Sequence, residues 1–300
     1  MPLAALYRTL PTEQPNPRSR SLDRLTPAQI LRLMNREDAN VPRAVAAAIP
    51  SINAAVSLIV TSLRTGGRLV FLGAGTSGRL GVLEAAECPP TFNTPPTLVQ
   101  AIIAGGRRAV FRSQEGAEDD ASAARRVVRQ RVRAKDVVVG IAASGVTPFV
   151  AAGLRTAKTA GASTVLVTGH SSGEAGSHAD VLITPRVGPE LLTGSTRLKA
   201  GTATKLILNM LTVASMVQLG KVYGNWMVDV RPTSRKLTDR AVRIIQSAAR
   251  VSQQDARRAL RASRGQVKLA IVMAVRRADA RTARRLLAAH HGHLRPILHG

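Results

Sequence analysis

The chain has 300 residues, 45% of them apolar, with a mean hydropathy of +0.03; this suits one large or two modest globular domains and excludes wholesale disorder. Aromatic residues are only 2%, so the core must be built from Ala, Val, Leu and Ile, and the single cysteine, Cys88, excludes an internal disulfide and fits a reducing, cytoplasmic setting. The net charge is +25, and residues 231–300 carry 17 basic against 3 acidic side chains, but that stretch holds no aromatic to stack a base, no zinc-ligand set and no helix-turn-helix signal, so solvated arginine-rich helix faces are expected rather than a nucleic-acid partner.

Residues 1–20 lack the apolar core and small-residue cleavage site of a secretory signal, and no run reaches 18 uninterrupted apolar residues, so no membrane-spanning helix is expected. Apolar spacing predicts helices over 27–35 and 41–64, the second stopped by Gly66 and Gly67. A buried strand is predicted over 68–72, followed by a glycine-rich turn and a helix. Further strands are predicted over 98–103, 136–142, 163–168 and 181–184, with helices over 118–133 and 147–160 between them. Strands alternating with helices imply parallel βαβ units, hence an α/β fold: a three-layer αβα sandwich on a five-stranded parallel sheet. A long apolar helix follows Arg197 and ends near Gly220. Short helices with breaks near Ser252, Arg264 and Asp279 then predict a small C-terminal helical bundle. The expected division is an N-terminal helical segment 1–44, a ligand-binding domain 45–230 and the bundle 231–300.

Four segments carry the chemistry. Gly73-Ala-Gly75-Thr76-Ser77-Gly78 lies where a strand ends and a helix begins, and free backbone N–H groups there favour an anion. The same string satisfies G-x-G-x-x-G, so a dinucleotide site is an alternative, as is a merely structural turn. Against the dinucleotide, the second strand ends in Ile103-Ala-Gly-Gly-Arg107-Arg108 with no acid for a ribose, and the hydroxyls of Thr76 and Ser77 suit a phosphate monoester. The second segment, Ser144-Gly145-Val146-Thr147-Pro148, is again a strand-to-helix loop, and reads equally as a plain N-cap. Both loops sit at carboxyl ends of strands, where open parallel sheets bind ligands.

The third segment is a cluster of carboxylates: Glu84 and Glu87 on the first crossover helix, then Glu115, Glu118, Asp119 and Asp120. The prolines after Cys88 are expected to end the helix and enclose Glu87, which would favour its protonated form and a general-acid role. Glu118 is expected in the first turn of its helix, where the dipole favours an ionised base. Ordinary helix-terminal acids are the plainer alternative. In the fourth, hydroxyls and cations gather before the long helix: Ser195, Thr196, Arg197 and Lys199 form either a capped helix start or a second wall of an anion site. His290, His291 and His293 have no acidic or thiol neighbours to complete a metal site, and Cys88 has no adjacent base.

Together these segments resemble the N-acetylmuramic acid 6-phosphate etherases, a family built on the sugar isomerase (SIS) domain. The resemblance begins at Thr12-Glu13 and Asn16 and continues through NRED (35–38), LGAGTSGRLGVLEAAECPPTF (72–92), EGAED (115–119) and DVVVGIAASGVTPFV (136–150). It extends through GPELLTGSTRLKAGTATKLILNML (188–211) and KVYGNWMVDV (221–230). It implies a sugar-phosphate substrate whose D-lactyl ether is cleaved by elimination and then hydration, without a metal or redox cofactor, by a homodimer. By motif, Glu87 matches the acid that protonates departing lactate and Glu118 the other catalytic carboxylate. Thr76, Ser77, Ser144 and Thr147 match the phosphate-binding loops; Gly75, Arg79 and Gly145 beside them are expected to contact substrate, with Arg79 or Arg197 supplying the cation that Val146 lacks. The chain departs from the family pattern at Glu84 (usually Asp), Ala86 (usually Ser), Val146 (usually Arg) and Leu198 (usually Met). Two other readings share some features: a non-catalytic sugar-phosphate sensor, like the glucokinase regulatory protein, and a polyanion binder acting through the basic C-terminal bundle. An SIS transcription regulator would need a DNA-binding domain, for which residues 1–40 are too short.

Overall fold

The computed structural model describes residues 10–170 and 174–299. Residues 1–9, part of the expected N-terminal segment and of the stretch read for a secretory signal, lie outside them. The chain divides into two compact units, one of residues 1–86 and 97–211, the other of residues 87–96 and 212–300.

The first unit holds five parallel strands: β1 (Leu69–Gly73), β2 (Val99–Ile103), β3 (Val137–Ile141), β4 (Ser163–Val167) and β5 (Val181–Ile183). Their order is β2-β1-β3-β4-β5. Every residue of β1 and β3 is buried, as expected of central strands covered by helices on both faces. One apolar cluster joins Val70, Leu72, Val138 and Leu166 to Val150 and Leu154 on the helix Pro148–Thr159. The expected αβα layers and five-stranded parallel sheet are therefore present.

Two helices differ from expectation. The predicted helix 41–64 is broken at Ala48 into Val41–Ala47 and Ile49–Arg64. The segments 27–47 and 49–64 are bent by 58°. Pro50 is the cause: it has no N–H for the Ala46 carbonyl, and its ring crowds the turn before it. Conversely, the helix Gly75–Phe92 does not end at Cys88 but runs through Pro89 and Pro90 to Phe92. The chain leaves it at Asn93, in the left-handed region (φ 51°), whose N–H donates to the Pro89 carbonyl (2.9 Å).

One described helix, Lys199–Gln218, has the length and composition to cross a bilayer (mean hydropathy 1.3), although no single run of the sequence met that test. Half of that window is buried within the protein, with Ala203, Ile207, Leu208 and Leu211 on its covered face.

The second unit contains a two-stranded antiparallel hairpin, β6 (Val222–Tyr223) and β7 (Trp226–Met227), and the C-terminal helices. Three of those helices begin at Ser234, Ser252 and Asp279, whose side chains accept the N–H groups of Leu237, Asp255 and Thr282. Their core is Val228, Val242, Ile245, Leu260, Ile271 and Val272 with their neighbours.

Candidate active site

The first loop is set by two glycines. A Cβ on Gly78 would sit 2.6 Å from Ile103 Cγ1 and 2.8 Å from the Gly73 carbonyl oxygen, so only glycine lets the helix start press onto the strand ends. Thr76 and Ser77 fall in the first turn of the helix, half-buried, and no described residue hydrogen-bonds their hydroxyls. The second loop starts alongside, because Gly73 and Ile141 are register partners. β1 is also the strand at which the order reverses, the place where open α/β sheets leave a crevice.

In the second loop Gly145 is left-handed (φ 75°), and a Cβ there would meet the His170 carbonyl oxygen at 2.8 Å. Ser144 Oγ accepts from the Val146 N–H (3.4 Å). Thr147 occupies the N-cap of the helix Pro148–Thr159, but its hydroxyl makes no capping bond. Thr147 with Pro148 after it is therefore an N-cap by position, as the plainer reading expects, while its hydroxyl is left available to a ligand. Val146 is buried, so the position that carries an Arg in the family pattern presents no cation here.

The fourth segment lies beside the first: a Cβ on Gly201 would stand 3.8 Å from Thr76 Cγ2. Ser195 and Thr196 are half-buried and Arg197 exposed. Lys199 departs from expectation. Its side chain is 3% exposed and its Nζ donates to Glu37 Oε2 (2.8 Å), so the ammonium serves a buried carboxylate instead of forming an anion wall. Glu37 also accepts from Asn16 (2.8 Å) and Arg18 (2.9 Å). Burial pushes the Glu37 pKa up, but the hydrogen bonds from Lys199, Asn16 and Arg18 prevail and hold it at about 2. Glu190 caps the same helix, its two oxygens accepting the N–H groups of Lys199 and Ala200 (both 2.9 Å). Its pKa is raised by burial, against those two bonds.

Residues 12–19 strap this segment in place. The Thr12 carbonyl accepts from the Gly194 N–H (3.1 Å), Asn16 donates to the Pro189 carbonyl (3.2 Å) and Ser19 to the Leu191 carbonyl (2.6 Å). Sequence reasoning assigned no role to Glu37 or the strap, because nothing local marks contacts across more than 160 residues, nor to Glu190, which caps a helix 9 residues further on.

Glu118 is not in the first turn of a long helix. It sits in a single 3₁₀ turn, Ala117–Asp119, while the helix Ala121–Arg131 is capped by Asp120. Glu118 is exposed and lines a cleft of about 130 Å³ shared with Gly75, Arg79 and Glu115. Arg79 Nε donates to the Val110 carbonyl (3.0 Å), which fixes the guanidinium within this cleft. Glu87 belongs to the other unit and is exposed, so the prolines do not enclose it. Glu84 is the buried carboxylate of that helix: it accepts from Lys205 Nζ (2.8 Å), which also donates to Asn209. Among the described residues no group of three or more His, Cys, Asp or Glu is placed to hold a metal ion.

The chain is 51% identical over 288 residues to the N-acetylmuramic acid 6-phosphate etherase of Gloeothece citriformis, covering 96% of this chain and 94% of that protein. The chain belongs to the N-acetylmuramic acid 6-phosphate etherase family. The etherase of Histophilus somni is similar to the same degree, 50% identical over 294 residues and 97% of each chain. Within this etherase-family chain, residues 51–158 match the profile of the glucokinase regulatory protein N-terminal SIS domain and residues 117–214 that of the SIS domain. The structure of phosphoheptose isomerase from Neisseria gonorrhoeae superposes with a TM-score of 0.51 at 19% identity, over 63% of this chain and 98% of that one. That likeness shows the SIS fold alone.

Proposed function

We propose that this protein is an N-acetylmuramic acid 6-phosphate etherase, a carbon–oxygen lyase that yields N-acetylglucosamine 6-phosphate and D-lactate in amino-sugar catabolism and cell-wall recycling. Half-identity to etherases over nearly the full chain carries the reading. The paired hydroxyl-bearing loops support its sugar-phosphate end: Thr76, Ser77, Ser144 and Thr147, with Gly75 and Gly145 shaping the turns, take the phosphate. Ser195, Thr196, Arg197 and Arg79 supply further contacts. Lys199 acts from beneath, through Glu37, and does not touch substrate.

The reaction follows from the substrate. In the open-chain form the C1 aldehyde acidifies the C2 proton, and Glu118 removes it. The ether oxygen leaves C3 as lactate, with Glu87 donating the proton. Water then adds to the unsaturated aldehyde with Glu87 as base, and a proton returns to C2. The aldehyde carbonyl is the electron sink, so the chemistry calls for no metal or redox cofactor. The enzyme acts in the cytoplasm as a homodimer.

The test is D-lactate release from N-acetylmuramic acid 6-phosphate, with exchange at C2 followed in deuterated water, for the wild type, Glu87→Gln and Glu118→Gln. The proposal expects release by the wild type and loss in both variants. C2 exchange should survive in Glu87→Gln and vanish in Glu118→Gln. The glucokinase regulatory protein profile over residues 51–158 favours a second reading, a non-catalytic sensor. A folded wild type that binds the sugar phosphate but neither releases lactate nor exchanges the proton would establish that reading instead.

A further inference from the structure

The C-terminal charge has no part in the reaction above. Within residues 231–300 the three carboxylates are engaged locally: Asp239 pairs with Arg243, Asp255 with Arg258, and Asp279 caps its own helix. A cleft of about 670 Å³ opens in the second unit, lined by Arg231, Arg264, Lys268 and Arg284, with Asn93 at one wall. The lone carboxylate lining it is Asp229, whose Oδ2 accepts from both Lys221 (3.0 Å) and Lys268 (3.1 Å). That trio alone carries one excess positive charge. Among the described residues no carboxylate lies within salt-bridge distance of Arg231, Arg264 or Arg284. Burial lowers the Lys268 pKa, with Asp229 opposing it, so an anion beside Lys268 would hold its proton.

Unpaired like charges around one concavity repel, and a bound anion relieves that cost. Guanidinium forks match phosphate oxygens two at a time. The volume is that of a small-molecule site, and no aromatic lines it to stack a nucleobase. We propose that this cleft is a second anion site, which takes a small phosphorylated metabolite on Arg231, Arg264, Arg284 and Lys268. It uses none of the residues assigned to the substrate.

Equilibrium dialysis of the full chain against labelled pyrophosphate tests it. The probes are the wild type, Arg264→Ala/Arg284→Ala, and Thr76→Ala/Ser77→Ala. Both arginines are exposed, so their removal leaves the fold intact. The arginine variant should bind one equivalent fewer than the wild type, its affinity at this site falling roughly tenfold or more. The Thr76/Ser77 variant should keep that equivalent and lose it when the two arginine changes are added. An unchanged count in the arginine variant overturns the proposal. A short DNA duplex that displaces pyrophosphate from the wild type, but does not bind the arginine variant, overturns the assignment to a small metabolite in favour of nucleic acid.

Discussion

Replacing Glu37 by Gln tests the buried network beneath the Ser195–Arg197 turn. The side chains of Glu37 and Lys199 are 6% and 3% exposed. Glu37→Gln leaves the Lys199 ammonium buried without its carboxylate, a loss of about 3–5 kcal/mol for a broken buried pair. The titration gives a second figure. A pKa held at about 2 against an ordinary 4.5 corresponds to about 3 kcal/mol. Because folded Glu37 binds its proton less readily than unfolded Glu37, this stabilisation is complete above pH 4.5 and disappears as the pH falls through about 2. Urea unfolding followed by circular dichroism at pH 7 and pH 3 measures both effects. The Glu37→Gln protein should lose about 3 kcal/mol at pH 7 with an unchanged slope, and the gap to wild type should shrink at pH 3. Adding Lys199→Met should recover part of the loss, because the uncompensated charge goes with it. A pH 7 loss under about 1 kcal/mol, or a double variant no better than the single, would refute the reasoning.

Asp136 accepts the backbone N–H groups of Arg68 and Arg133 and two nitrogens of the Arg68 side chain, and its own side chain is 1% exposed. Asp136→Ala should cost about 3–5 kcal/mol in thermal unfolding. Gly78→Ala should cost about 1–3 kcal/mol and weaken N-acetylglucosamine 6-phosphate binding in calorimetry, since the new methyl strikes Ile103 and the Gly73 carbonyl. Gly106→Ala is the control: its conformation is left-handed, but the space is open, so stability drops while sugar-phosphate affinity holds. Asn16→Ala removes the bonds to Glu37 and to the Pro189 carbonyl. It should raise KM more than it lowers kcat in a lactate-release assay, because the strap orients a binding segment.

The sheet and its loops were legible because they are written locally. Val137–Ile141 and Leu69–Gly73 are short apolar runs ended by glycine-rich turns, and burial on both faces is what parallel strands require. The prolines were harder. Pro50 breaks a helix whose apolar spacing continues across it, whereas Pro89 and Pro90 lie inside one that persists. The same residue type thus gave opposite outcomes, decided by tertiary context. Glu118 was misplaced by one short turn because Asp120, the real cap, is one of several acids in a row. Lys199 looked like a ligand for an anion because its partner, Glu37, lies 162 residues away. Charge type can be read from sequence, but the counterion is found by folding.

The strap also fixes an order of events in synthesis. Asn16 and Ser19 find their partners 173 and 172 residues later, and Glu37 finds Lys199 after 162. At cellular elongation rates that delay is roughly ten to thirty seconds. Throughout it Asn16 and Arg18 can reach Glu37, but the Pro189 and Leu191 carbonyls that complete the strap are not yet made. The five strands can pair, but the Ser195–Arg197 turn gains its support only when the start of the chain closes over it. Closing a loop of that length is slow compared with neighbouring contacts. Residues 12–19 are therefore among the last to settle, and a substitution there acts on assembly of the Ser195–Arg197 turn.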